Sequence, residues 1–350
     1  MWNRLRYLLF PFSWLYGLGV WFRHLLYNKG VLPSMQFNKP IIGVGNLAVG
    51  GAGKSPMIEY LVRLLANRYR ISTLSRGYGR RTEGLLEVSI NDAVQDVGDE
   101  PLQFKRKFPE ITVLVSENRV KAVEKYFADT DVFLLDDSFQ HRAIKPGMNV
   151  LLFEYTSLLK PRLLLPAGNF RDLFGQRKRA QGMIVTKTPK SIQGQDKKRI
   201  ERILKPTPDQ WLLFAYLKYG IPYSLGGGSI NVDFSKIHTV LLVTGIANPT
   251  PLQTYLEDQG KQVIPMFFPD HHLYTAADLN KIETKFRGIT NAHSAIVTTV
   301  KDEQRLRQNS NVGFFQRMPV FSVPVEMEFS SDDQDFFEKR IMQYCSRYDN

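Results

Sequence analysis

Lys54 and Ser55 close a glycine-rich stretch, "AVGGAGKS" at residues 48–55, set between an apolar run and a helical pattern. These residue types in this order suit a phosphate-binding loop. Gly50, Gly51 and Gly53 let the backbone curl, so that amides from Ala48 and Val49 through Ala52 and Gly53 face phosphate oxygens. Lys54 would reach the β- and γ-phosphates of a nucleotide, and the Ser55 hydroxyl would ligate Mg²⁺. The strict pattern asks for glycine at the first position, where this chain has Ala48. A strand before and a helix after supply the structural context that the motif needs, and the helix N-terminus adds its partial positive charge.

Such a loop requires a carboxylate at the end of a second strand to hold the metal. "VFLLDDSFQH", residues 132–141, offers Asp136 and Asp137 after four apolar residues. Adjacent carboxylates diverge within a strand but can converge on a cation at its end; the alternative is a capping pair that opens a turn. "VGDEPLQF", residues 97–104, offers Asp99 and Glu100 either as a base for a hydroxyl acceptor or as a helix cap. "FPDHHLY", residues 268–274, puts Asp270, His271 and His272 in a loop, without a third metal ligand at suitable spacing. "LSRGYGRR", residues 74–81, supplies Arg76, Arg80 and Arg81 to phosphate or lipid headgroups. It occurs once, directly after a strand, which argues against an RNA-binding tract.

These residues need a scaffold. Apolar runs at 41–45, 71–74, 111–115, 132–135, 150–153 and 183–185 have the length of buried parallel strands. Helical patterns such as 57–70 and 118–127 lie between them. The alternation predicts an α/β, P-loop NTPase-like doubly wound sheet over residues 31–205. Residues 206–233 read as a linker hairpin. A second, smaller α/β domain with a C-terminal helix is expected over 234–350.

The 350-residue chain is 43% hydrophobic and 12% aromatic, ample for two cores and against disorder. Its one cysteine, Cys345, excludes an internal disulfide framework and a Cys-rich metal site. A net charge of +12 leads to the expectation of an anionic partner: nucleic acid, a phosphorylated substrate or an anionic lipid surface. No acidic residue precedes Glu59, and residues 7–22, "YLLFPFSWLYGLGVWF", are uncharged. A membrane-spanning helix needs about 20 apolar residues, and Pro11 and two glycines weaken this one further. No small-residue cleavage site follows it. Residues 1–30 are therefore expected to form a membrane-associated helical segment in the headgroup region, anchored by Trp2, Trp14, Trp21 and the flanking arginines. The alternative is a helix packed on the protein's own core.

Taken together, these stretches resemble the tetraacyldisaccharide 4′-kinase family of lipid A biosynthesis. The resemblance rests on "GNLAVGGAGKSP" (45–56), "LSRGYGRR" (74–81), "GDEP" (98–101), "DDSFQH" (136–141), "LLPAGNFRD" (164–172) and "FPDHH" (268–272), and covers nearly the whole chain. It implies transfer of the ATP γ-phosphate to the 4′-hydroxyl of a membrane-borne, acylated glucosamine disaccharide 1-phosphate at the cytoplasmic face of the bacterial inner membrane. It implies Asp99 as catalytic base, with His271 as the partner that positions it. It gives Mg²⁺ to Asp136 and Asp137, with Lys54 and Ser55 in their P-loop roles. Arg171 matches the family and would meet phosphate. Asp172 stands where the family has a metal-site Glu, so its reach is shorter, and Ser138 replaces a usual Gly. The partners expected are the lipid substrate and an anionic membrane surface, with no nucleic acid, for a monomeric enzyme.

Two other readings fit parts of the pattern. A membrane-associated P-loop GTPase would carry an N/T-K-x-D element, but "VTKTP" (185–189) lacks the Asp. A nucleotide-gated membrane-binding module would need no base at Asp99.

Overall fold

The strand Ile41–Asn46 is buried at every residue, as a central parallel strand requires. It pairs in parallel with Val132–Leu135 on one side and Met148–Glu154 on the other. Gly45 permits a close approach: a Cβ there would come 2.7 Å from the Cβ of Phe139. The turn bearing Asp136 and Asp137 is thus pressed against the strand that feeds the glycine loop. The computed structural model describes residues 6–226, 233–289, 293–307 and 312–349.

From edge to edge, the first sheet runs Val325–Phe329, Trp211–Tyr219, Gly182–Thr186, Met148–Glu154, Ile41–Asn46, Val132–Leu135, Ile71–Ser75, Thr112–Val115 and Leu86–Glu87. Only the two edge pairings are antiparallel. Strands before Met148 extend the sheet one way and those after it the other. Ligands of such sheets bind at the carboxyl ends of the strands, beside this reversal. The second sheet runs Gln262–Phe267, Thr239–Thr244, Ser294–Thr299, Val320–Val323 and Tyr223–Ser224. Its apolar clusters are separate from those of the first. The fold is the expected α/β P-loop architecture with a smaller second sheet.

The domain boundaries differ from the sequence expectation. Trp211–Tyr219, expected in a linker hairpin, is a long strand of the first sheet beside Gly182–Thr186. Val325–Phe329 pairs with it, and the helix Ser331–Cys345 buries Phe337, Ile341 and Tyr344 in the first sheet's core. The sequence expectation gives both elements to the second domain. Their place is set by an aromatic cluster on the P-loop side. Phe337 lies 5.2 Å from Phe329, 5.7 Å from Trp211 and 5.8 Å from Tyr60, ring centroid to ring centroid.

The N-terminal helix, Phe10–Asn28, has its small and polar face inward: Ser13, Gly17 and His24 are its buried residues. The Ser13 hydroxyl donates to the Leu164 carbonyl at 3.0 Å and accepts from the Ala167 amide at 2.9 Å. A Cβ at Gly17 would come 2.8 Å from Leu164 Cδ1. Phe12, Trp14, Leu15, Leu18, Trp21 and Phe22 are exposed. The helix therefore docks on the protein while its apolar face stays uncovered among the described residues. Among the described residues no helix is long and apolar enough to cross a membrane. Trp2 and Arg4 lie outside the described residues.

Candidate active site

The glycine loop leads into the helix Lys54–Leu65, whose N-cap is Gly53 at φ 83°. Only glycine takes that left-handed conformation without strain. The loop is held from outside. The Val49 amide donates to the Asn169 carbonyl at 2.8 Å, and the Thr186 hydroxyl donates to the Ala52 carbonyl at 2.9 Å. The amides of Gly51 and Gly53 donate to no protein acceptor among the described residues. Amides left open at a helix N-terminus form an anion cradle.

Asp136 and Asp137 end the strand Val132–Leu135. Asp137 adopts φ 44°, which turns its side chain out of the strand's alternation. Its carboxylate receives Nη1 of Arg171 at 2.9 Å, pairs also with Nη2 of that residue, and lies 3.9 Å from Lys54 Nζ. Burial pushes the Asp137 carboxyl up, but the Arg171 hydrogen bonds and Lys54 outweigh it and leave it below the usual range. Asp136 is different. It is 2% exposed, and its Oδ1 has no hydrogen-bond partner among the described residues. Burial, and after it the charge of Glu100, pushes its carboxyl up to about 7. A buried carboxylate oxygen without a protein partner, next in sequence to a second carboxylate and close enough to Glu100 to feel its charge, fits a hard divalent cation. Arg119, which the sequence reading does not single out, braces this turn: its Nη2 donates to the Asp136 carbonyl at 2.7 Å and the Asp137 carbonyl at 3.2 Å.

Asp99 is the first residue of the helix Asp99–Lys107, whose N-cap is Gly98 and makes no side-chain capping bond, so the candidate base sits in the first turn rather than at the cap. Ser55 Oγ donates to Glu100 Oε1 at 2.6 Å, which ties this helix to the glycine loop. The second sheet closes over the same point. His271 Nδ1 lies 3.2 Å from Asp99 Oδ2, and Arg305 Nε lies 3.7 Å from it. Lys301 pairs with Glu100. Burial raises the Asp99 carboxyl, but His271, Lys301 and Arg305 together bring it down to about 2.

Lys301 and Arg305 belong to the helix Val300–Arg307, absent from the sequence expectation. Its signal is a charged segment, "VKDEQRLR", that nonetheless buries Asp302, Glu303 and Arg305. Arg305 spans the unit: it donates to the Gly245 carbonyl at 3.0 Å and meets Asp302 at 3.2 Å. Gly245 in turn accepts the His271 amide at 3.1 Å. The two adjacent histidines part company, since His272 Nε2 meets Asp278 Oδ2 at 3.0 Å instead.

Three expected residues are turned elsewhere. Asp172 is 1% exposed, with Oδ1 held by His24 Nε2 at 2.6 Å and by the Leu173 amide at 2.8 Å. Its short side chain is spent on these partners, a correction to its expected place at the metal. Arg80 pairs with Glu117 and donates to the Gly84 carbonyl at 2.6 Å, holding its own loop closed rather than facing outward. Arg171 meets Asp137 rather than an open pocket, whereas Arg76 is exposed. Tyr78, in the same loop, is exposed with its ring centroid 5.5 Å from that of His271.

A largely parallel sheet, a glycine loop with its lysine at the sheet's reversal, and a carboxylate pair on the neighbouring strand define a P-loop phosphotransferase. The chain belongs to the tetraacyldisaccharide 4′-kinase family: a family model described as Tetraacyldisaccharide-1-P 4′-kinase matches residues 5–345. It is 39% identical over 345 residues to the tetraacyldisaccharide 4′-kinase of Flavobacterium johnsoniae, covering 98% of each chain. It is 38% identical over 347 residues to that of Phocaeicola vulgatus, covering 97% of this chain and 95% of the relative. Among solved structures it is similar to the "apo" form of LpxK from Aquifex aeolicus in complex with ATP, at 28% identity and a TM-score of 0.75. That similarity covers 97% of this chain and 99% of the other.

Proposed function

We propose that this protein transfers the γ-phosphate of ATP to the 4′-hydroxyl of a tetraacyldisaccharide 1-phosphate, working at an anionic membrane surface. Family membership supports the reaction, and the Aquifex aeolicus structure with ATP supports the donor. The observation that carries the residue roles is the Ser55–Glu100 hydrogen bond of 2.6 Å. It puts Asp99, one residue earlier, beside the loop that would hold the triphosphate.

The glycine amides and Lys54 hold the triphosphate tail and draw off charge as it spreads over the transferring group. A Mg²⁺ bound by Asp136, Asp137 and the Ser55 hydroxyl would neutralise charge on the β- and γ-phosphates. Asp99 stays ionised at working pH and accepts the hydrogen bond of the attacking hydroxyl. Little basicity is demanded of it, because such transfers run through a loose transition state in which positioning dominates. His271 fixes the Asp99 carboxylate. Exposed Arg76 is left to the substrate's own phosphate.

The acceptor carries acyl chains and cannot leave the bilayer cheaply, so the enzyme must come to it. The uncovered aromatic face of Phe10–Asn28, beside a chain of net charge +12, suits shallow seating among anionic headgroups on the cytoplasmic side of the inner membrane. The reading is of a monomer with no nucleic-acid partner. The GTPase reading loses ground, because Lys187 of "VTKTP" pairs with Glu154 at 3.2 Å and no Asp follows it. The test is incubation with γ-labelled ATP, Mg²⁺ and tetraacyldisaccharide 1-phosphate in detergent micelles. Label is expected on the lipid; label found only in free phosphate would reject the reading.

A further inference from the structure

The inner face of the N-terminal helix carries one buried ring, His24. Arg142 Nη1 lies 3.0 Å from its Nδ1. A guanidinium only donates, so Nδ1 is the acceptor and Nε2 carries the proton. Nε2–H therefore donates to Asp172 Oδ1 at 2.6 Å. Asp172 Oδ2 accepts from Gln140 at 3.4 Å and faces Arg179 at 3.9 Å. One turn-pair earlier on the same helix, the Tyr16 hydroxyl donates to the Arg171 carbonyl at 2.8 Å. The helix thus grips two consecutive residues, one by its backbone and the other by its carboxylate.

The Arg171 side chain leaves in the other direction. Its Nη2 donates to Asn46 Oδ1 at 2.6 Å and its guanidinium clamps Asp137, the carboxylate facing Lys54. We propose that the N-terminal helix sets the phosphate site through this grip: His24 fixes Asp172, Asp172 fixes the course of Arg171, and Arg171 fixes Asp137. His24 is a positioning residue, and the proposal rests on the phosphoryl-transfer reading above. A helix whose outer face meets the lipid surface and whose inner face orients a phosphate-site carboxylate joins membrane seating to catalysis through side chains.

The test is a double-mutant cycle in the full chain, assayed in micelles at saturating lipid. His24→Leu should lower kcat about tenfold while changing the lipid KM less than about twofold. His24→Gln retains a donor for Asp172 and an acceptor for Arg142, and should recover most of the loss. In an Arg171→Ala background, His24→Leu should add less than about twofold, because the two act in series. An undiminished tenfold loss in that background, a change in KM alone, or no rescue by glutamine overturns the proposal. Should His24→Leu fail to fold, His24→Asn, whose amide reaches Arg142 but not Asp172, enters the same cycle under the same criteria. If the wild type itself phosphorylates no lipid, the functional reading falls. The grip is then judged by ATP binding, which His24→Asn should weaken in the wild-type background and leave unchanged beside Arg171→Ala.

Discussion

The imidazole Nδ1 of His271, on a loop of the second sheet, stands 3.2 Å from Oδ2 of Asp99, the first residue of a helix on the first sheet. The contact joins the two units at the point where the proposed function puts the hydroxyl acceptor. It has a pH signature. The hydrogen bond to Asp99, opposed by burial and aided by the Asp99 charge, holds His271 protonated above the usual histidine range. A histidine raised by folding contributes its full stabilisation below the unfolded value of about 6.5, and that stabilisation disappears as pH rises through the folded value. From about pH 6 to about pH 9, the wild type should therefore lose more thermal stability than His271→Ala. Scanning calorimetry of both proteins checks this, and parallel pH profiles would contradict it.

Asp136→Asn should separate stability from function. Burial pushes the Asp136 carboxyl up to about 7, so its contribution to folding is fully present below the unfolded value and lost as pH rises through about 7. At about pH 8, the ligand-free variant should melt higher than the wild type, while Mg²⁺-dependent ATP affinity drops at least about tenfold. Calorimetric titration with and without EDTA supplies the second number. A variant that melts lower, or keeps its Mg²⁺ dependence, counts against the metal assignment.

Lys54→Ala should cut turnover by about a hundredfold or more and weaken ATP binding, since the charge it meets grows in the transition state. Circular dichroism should be unchanged, because Lys54 sits at a helix start with its ammonium 3.9 Å from Asp137. Steady-state kinetics with ATP varied reads both effects. Wild-type turnover in the variant would remove Lys54 from the mechanism.

Replacing Trp14, Trp21 and Phe22 together by Gln should abolish sedimentation with anionic vesicles and leave kcat in micelles within about twofold, because the three project away from the protein. Binding that persists on vesicles would show that another surface seats the enzyme.

Much of the site is legible locally. The loop ending in Lys54–Ser55 and the strand ending in Asp136–Asp137 each carry their chemistry within ten residues, so spacing alone brings them forward. Asp99 and His271 are 172 residues apart and acquire meaning together only through the family resemblance. Lys301 and Arg305 stay hidden, because a segment as charged as "VKDEQRLR" reads as solvated surface until Asp99, Glu100 and Asp302 are folded around it. Asp172 misleads for the complementary reason: its motif position points to metal, while its partner, His24, lies 148 residues away in a helix that reads as membrane anchor. The strand Val325–Phe329 falls inside the range expected for the second domain, and nothing local in "VEMEF" says which of two sheets it joins. The aromatic cluster of Tyr60, Trp211, Phe329 and Phe337 decides that.

The most direct measurement compares Asp99→Asn with the wild type in two assays on the same preparations: Mg²⁺-dependent ATP affinity, and phosphate transfer to tetraacyldisaccharide 1-phosphate at saturating substrates. The account predicts affinity within about threefold of the wild type and transfer reduced about a hundredfold to ten-thousandfold, since Asp99 lies outside the triphosphate cradle and acts only on the hydroxyl. Transfer that survives the substitution undiminished, in a protein that still binds ATP, would contradict it.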